Sequence, residues 1–244
     1  MKLEKYLSQL NYNSYEEFIE KFKINVPEGF NFAFDVVDEI ANETPDKTAM
    51  VWCDDNGEER IFSFRDMKYY SDKAANYFKS IGIRKGDRVM LILKRRYEYW
   101  YCLLALHKLG AIAIPATHLL RTKDIVYRNN AADIKMIICV PETEVIKNVE
   151  EAQEKSPTLI YKALVTRSKE GWIDLTNEIE KASDKFVKTE DELSVRNDDT
   201  MLIYFTSGTT GMPKMVKHNY AYPLGHILTT KFWQNVSDNG LHLT

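Results

Sequence analysis

Little in the 244 residues supplies a covalent or metal staple. The three cysteines, Cys53, Cys102 and Cys139, lie too far apart for any CxxC-type spacing, and each has large apolar neighbours. That excludes a disulfide scaffold and a cysteine redox or metal site, and predicts ordinary buried thiols. Long apolar runs are also missing. The longest, Tyr99 to Leu106, has eight residues, against about 20 for a membrane-spanning helix, and the N-terminus MKLEKYLSQLNYNSYEEF has no apolar signal core. A cytoplasmic chain with no membrane span is expected. Neither sign of charge dominates, because 33 Lys+Arg meet 36 Asp+Glu for a formal net charge of -3, with no basic block beyond Lys94-Arg95-Arg96. Nucleic acid is therefore not an expected partner.

What is present is ordinary globular material: 44% hydrophobic and 28% charged residues, with no internal repeat or low-complexity tract. The length lies between one and two domains of roughly 150 residues, enough to bury about 70 to 75% of the unfolded surface. The first segment reads as two helices. The second is announced by Ser14 with Glu17 three residues on, and its stripe of Tyr15, Phe18, Ile19 and Phe22 is read as core packing. Phe30 to Ala41 is a further amphipathic stretch, ending near Thr44-Pro45.

From Ile61 onward, helical periods alternate with β-branched runs, each punctuated by Gly, Pro or a capping residue. That alternation predicts βα units and a parallel sheet of at least five strands. Ser63 starts a helix that Gly82 ends, Arg88 to Leu93 is a strand, and Tyr97 to Leu109 is a helix closed by Gly110. Ala111 to Ala116, Met136 to Val140 and Ile160 to Thr166 read as strands, with helices at Thr122 to Ala132 and Glu142 to Glu154. The polar stretch Lys181 to Thr200 reads as a surface connection separating this array from the C-terminal segment.

Glycine is scarce, 10 residues in the whole chain against an average of about 7%, so two inside one short window are informative. The window runs Leu202-Ile203-Tyr204-Phe205-Thr206-Ser207-Gly208-Thr209-Thr210-Gly211-Met212-Pro213-Lys214. An apolar strand enters a loop of hydroxyls and glycines that ends in lysine. Glycine lets the backbone approach a ligand, four hydroxyls and the bare amides donate hydrogen bonds, and the ammonium neutralises charge, a composition suited to a polyphosphate. A plain Gly/Thr turn is the alternative, but at average abundances the pattern arises by chance in about one chain per million. It is not a Walker A loop, which needs four residues between its glycines and lysine directly after the second; here only Thr209 and Thr210 intervene. Pro213 disfavours a helical Met212, and Met215-Val216-Lys217-His218 alternates like a strand, so a strand-loop-strand hairpin is expected. A dinucleotide GxGxxG is absent.

TSGTTGMPK is similar to the signature phosphate loop of the adenylate-forming (AMP-binding) superfamily. Leu103 to Pro115 and Phe62 to Met67 also resemble that family, and the likeness covers about residue 30 onward. Met215 after the loop lysine, the run Phe30 to Val36, and Gly171-Trp172 resemble the medium-chain acyl-CoA synthetase branch. The resemblance implies an α/β fold of αβα layers, a parallel sheet flanked by helices, with the phosphate loop on a β-hairpin near the C-terminus. It implies a helical extension over residues 1–30 and an incomplete N-terminal AMP-binding domain over residues 31–244.

The chemistry implied is an ATP-dependent acid-thiol ligase. A short- or medium-chain carboxylic acid is adenylated by ATP, and the acyl group passes to coenzyme A. Thr206, Ser207, Gly208, Thr209, Thr210, Gly211, Met212, Pro213 and Lys214 would bind the nucleotide, with Lys214 catalytic and magnesium bridging phosphate oxygens; no metal ligand is assigned in this chain. Lys94-Arg95-Arg96 reads first as a solvated loop, with coenzyme A as its functional alternative, and Thr117 to Arg121 corresponds to a region approaching coenzyme A. His107 reads as a helix-surface or interface residue and His218 as a packing residue, neither a general base. The family pattern would continue beyond Thr244, so a fragment without turnover of its own is expected. A nucleotide-binding or interaction module derived from the family, and an unrelated phosphotransferase, stay open, as does a homo-oligomer.

Overall fold

The computed structural model describes residues 3–188, 195–207, 211–237 and 240–243. Seven strands form the main sheet: β3 (Arg88–Ile92), β4 (Ile112–Pro115), β5 (Ile134–Cys139), β6 (Tyr161–Leu164), β7 (Ile173–Asp174), β8 (Thr200–Thr206) and β9 (Lys214–Asn219). Their order is β7-β6-β5-β3-β4-β8-β9, parallel throughout except for the antiparallel pair β8 and β9. A separate antiparallel hairpin joins β1 (Thr48–Cys53) to β2 (Glu59–Ser63).

Among the described residues the α-helices are α1 (Tyr15–Lys21), α2 (Glu39–Glu43), α3 (Phe64–Ser80), α4 (Glu98–Lys108), α5 (Thr122–Ala131), α6 (Thr143–Gln153), α7 (Leu175–Lys181) and α8 (Tyr222–Phe232). α3 packs on α4 and α7, while α5 packs on α6. The step from β3 through α4 to β4 runs one way along the sheet, and the step through α5 to β5 returns past β3. Right-handed crossovers then put α4 and α5 on opposite faces, giving the expected three layers. Strand order reverses between β3 and β4, where open α/β sheets gather ligands at the carboxyl ends of strands.

Local chemistry explains the frame. Ser63 Oγ accepts from the Asp66 amide at 3.2 Å and Asp66 accepts from the Ser63 amide at 2.8 Å, a capping box that starts α3. Gly82, at φ +90°, lets the chain leave it. Val89 to Leu93 are all within 1% of complete burial because both faces of β3 are covered, so the run is continuous rather than alternating.

Several expectations change. Of the two N-terminal helices only α1 forms, the other being a 3₁₀ turn at Leu3–Lys5. Tyr15 and Ile19 are exposed, because the two-turn α1 seats only Phe18 and Phe22, against Phe232 of α8. Phe30 to Ala41 is not a plain α-helix: Ala33–Asp38 is π-helical, and the wider turn buries Val36 together with Val37. Cys53 is exposed on the outer hairpin, while Cys102 and Cys139 are buried as expected. The stretch after Lys181 does not separate two units, since β8 joins β4 in the same sheet and Asn197 accepts from the Phe30 amide at 3.0 Å. No helix among the described residues is long and apolar enough to cross a membrane.

Candidate functional site

The polyphosphate-type window forms the tip of the β8–β9 hairpin. β8 is anchored by buried Met201, Leu202 and Ile203, with Ala113 of β4 opposite Leu202. Toward the tip burial falls away, and Thr206 and Ser207 are exposed. Thr206 pairs with Lys214 as the last rung of the ladder, and its hydroxyl donates weakly to the Lys214 carbonyl at 3.5 Å. Pro213 precedes β9 as expected, and Met212 is exposed. Gly208, Thr209 and Thr210 lie outside the described residues.

Gly211 takes φ +116°, a backbone state L side chains rarely adopt, with no atom near the place a Cβ would occupy. Its glycine thus serves backbone shape and leaves an open approach. Lys214 is exposed, and its ammonium has no ion-pair partner among the described residues. A cation without a counter-ion, beside two exposed hydroxyls and an open glycine, leaves room for an anionic ligand.

A cavity of about 310 Å³ opens at the switch point between Leu93, Lys94, Tyr99, Pro115, Ala116 and Thr117. Tyr99 stands between this cavity and β8, its hydroxyl pushed up by burial first and by the Tyr204 phenol second, so it is neutral. The cationic run at the cavity rim is largely paired: Lys94 with Glu142 at 2.5 Å, and Arg96 with Glu98 through two bonds of 2.9 and 2.6 Å. The Arg95 carbonyl accepts from the Trp52 indole at 2.7 Å. In the Thr117 to Arg121 segment Leu119 is exposed and Leu120 buried.

His107 lies on the buried face of α4 with the Tyr220 ring 6.2 Å away, so of its two readings the interface one holds and the exposed-surface one does not. Neither ring nitrogen has a partner among the described residues, and burial pushes its pKa down to about 4, so it is neutral near pH 7. His218 packs between the rings of Tyr204 and Tyr222, at 5.5 and 4.1 Å. Two site features carry no local sequence signal. Tyr127 of α5 donates from its hydroxyl to the Pro213 carbonyl at 2.8 Å, and Tyr220, just past β9, donates to the His107 carbonyl at 3.3 Å. Both connect residues far apart in the chain, which periodicity cannot reveal.

A family model described as AMP-binding enzyme matches residues 37–242. The chain is 37% identical over 231 residues to acyl-coenzyme A synthetase ACSM3, mitochondrial, of Mus musculus, covering 91% of this chain and 39% of that protein. It is 36% identical over 242 residues to acyl-coenzyme A synthetase ACSM5, mitochondrial, of Rattus norvegicus, covering 92% of this chain and 41% of that protein. The chain thus spans about two fifths of the length of these relatives. The crystal structure of the anthranilate CoA ligase AuaEII in complex with anthranoyl-AMP superposes with a TM-score of 0.69 at 22% identity, over 85% of this chain and 38% of that one, a likeness of fold. The cytoplasmic expectation is overturned by the relatives, which are named as mitochondrial. The lack of an apolar signal core separates secreted from unsecreted chains and is silent on mitochondrial targeting, whose segments are amphipathic.

Proposed function

Because the chain belongs to the AMP-binding enzyme family, we propose that it forms the N-terminal part of an AMP-forming acyl-CoA synthetase acting on short- or medium-chain carboxylic acids. The names of the relatives support this reading and a mitochondrial setting. The observation that carries it is the hairpin tip, where Lys214 stands exposed and unpaired among the described residues, next to Thr206, Ser207 and Gly211 at φ +116°.

A carboxylate is a poor electrophile. Attack of its oxygen on the α-phosphorus of ATP breaks the bond to the β-phosphate, giving an acyl-adenylate and pyrophosphate; the thiol of coenzyme A then takes the acyl group and AMP leaves. Negative charge grows on the departing β and γ oxygens, so donors held in place there lower the barrier. In this reading Lys214 supplies the cation, Thr206, Ser207, Thr209 and Thr210 supply hydroxyls, and Gly208 and Gly211 open the backbone. Met212 and Pro213 turn the chain into β9. Magnesium, when bound, neutralises the same phosphate oxygens. Among the described residues there is no group of three or more His, Cys, Asp or Glu that could hold a metal ion.

The test uses the polypeptide carrying this sequence at its relatives' full length, given butyrate to octanoate, ATP, magnesium and coenzyme A. Carboxylate-dependent AMP and pyrophosphate in equal amounts are expected. ADP and inorganic phosphate would point to γ-phosphoryl transfer and overturn the reading.

A further inference from the structure

The bond from Tyr127 to Pro213 links the hairpin tip to a helix that follows β4 in the chain. The carbonyl it engages belongs to the peptide plane that enters Lys214. Because that plane is rigid, fixing its oxygen also fixes the direction of the Lys214 amide and the place of its Cα, from which the side chain departs. Lys214 is then held on both sides, by Tyr127 before it and by the Thr206 rung after it.

The donor sits on a firm base. Ile125, two residues earlier on α5, is 1% exposed, and Thr122 at the start of α5 ties to α6 by its amide, which donates to Asn148 Oδ1 at 3.2 Å, and by its hydroxyl, which donates to Glu151 at 2.7 Å. At the other end Asn129 donates to buried Ser156 at 2.9 Å. The contact also has breadth: the Tyr127 ring meets the Phe205 ring edge-on at 6.2 Å, and the Arg128 guanidinium covers Phe205 at 5.1 Å. α5 therefore grips both hairpin strands, β8 through Phe205 and the start of β9 through Pro213.

We propose that Tyr127 is a positioning residue for the polyphosphate site, its hydroxyl setting the direction in which Lys214 meets the β and γ phosphates. The proposal rests on the polyphosphate reading of the hairpin. It concerns orientation rather than folding, since α5 keeps its ring packing and its ties to α6 without that hydroxyl.

The test compares the 244-residue chain with Tyr127→Phe, which deletes one oxygen and keeps the ring, and uses magnesium tripolyphosphate as the probe. Three quantities are read: melting temperature, hydrogen exchange of the amides over residues 211–215, and tripolyphosphate affinity by calorimetry. The expected result is an unchanged melting temperature, faster exchange over 211–215, and an affinity lower by about five- to tenfold, the size of one lost hydrogen bond. Tyr127→Ala, which also removes the ring from Phe205, should exchange faster still. Equal exchange and equal affinity in wild type and Tyr127→Phe would overturn the positioning role while leaving the polyphosphate reading intact. A wild-type chain that does not bind tripolyphosphate overturns that reading and the proposal with it, whatever the exchange shows.

Discussion

The Lys108 ammonium, fully buried at the end of α4, lies 2.5 Å from the carboxylate of Asp72 on α3. It reaches Asp38 at 2.9 Å as well, at the last residue of the π-helical turn, so one cation ties three elements together. Removing it strands Asp38, whose pKa burial already raises, while Asp72 keeps the Lys68 ammonium as a partner. Lys108→Ala should therefore lose about 3 to 5 kcal/mol of stability in urea unfolding, the usual result of stranding a buried charge. Lys108→Met combined with Asp38→Leu and Asp72→Leu should recover much of that loss. A single variant as stable as wild type would show that water reaches the carboxylates.

His107 gives the fold an acid-sensitive point. Its folded pKa, about 4, is below its ordinary 6.5 because burial penalises the cation. Below pH 6.5 the unfolded chain takes up the proton and the folded chain does not, so stability is full above 6.5 and falls toward pH 4. Between neutral pH and about 4.5 this group should cost on the order of 2 to 3 kcal/mol. His107→Leu, compared with wild type by urea unfolding at both pH values, should be less acid-sensitive by that amount. Identical pH slopes would mean that His107 is protonated in the folded state.

The features legible in the sequence are those that neighbouring residues decide. Ser63 and Asp66 cap α3 from three positions apart, Gly82 ends it, and Pro213 with the alternation after it marks β9. Features that depend on distant partners were not legible. Phe18 and Phe22 are partly covered by Phe232, more than 200 positions away, and without such a partner Tyr15 and Ile19 on the same helix stay exposed. Asp38 is inside because Lys108 is there to receive it. The hydroxyl of Tyr127 has no local pattern at all, since its acceptor is a backbone carbonyl on another layer.

Lys214 separates binding from catalysis. It is exposed with no ion pair among the described residues, so Lys214→Ala should leave the melting temperature of the chain unchanged. In the full-length enzyme the same change should lower kcat by roughly 10²-fold, about 3 kcal/mol, with the carboxylic acid KM little altered. An unchanged kcat with only a raised ATP KM would show that the lysine holds ground state and transition state equally.

Gly211 and Ser207 should fail in different ways, because one contributes backbone shape and the other a hydroxyl. Alanine at 211 meets no neighbouring atom, so its whole penalty is the φ of +116°, about 1 to 2 kcal/mol of local strain. That strain sits at the exposed hairpin tip, where local opening can relieve it, so Gly211→Ala should speed hydrogen exchange over residues 211–215 and weaken tripolyphosphate binding. Ser207 is exposed, so Ser207→Ala should leave both exchange and melting temperature as they are and weaken binding alone. Calorimetry and exchange on the two variants separate the effects. If Ser207→Ala destabilised the chain while Gly211→Ala bound tripolyphosphate like wild type, the tip would be a structural turn, and its glycine and hydroxyl would have no part in holding phosphate.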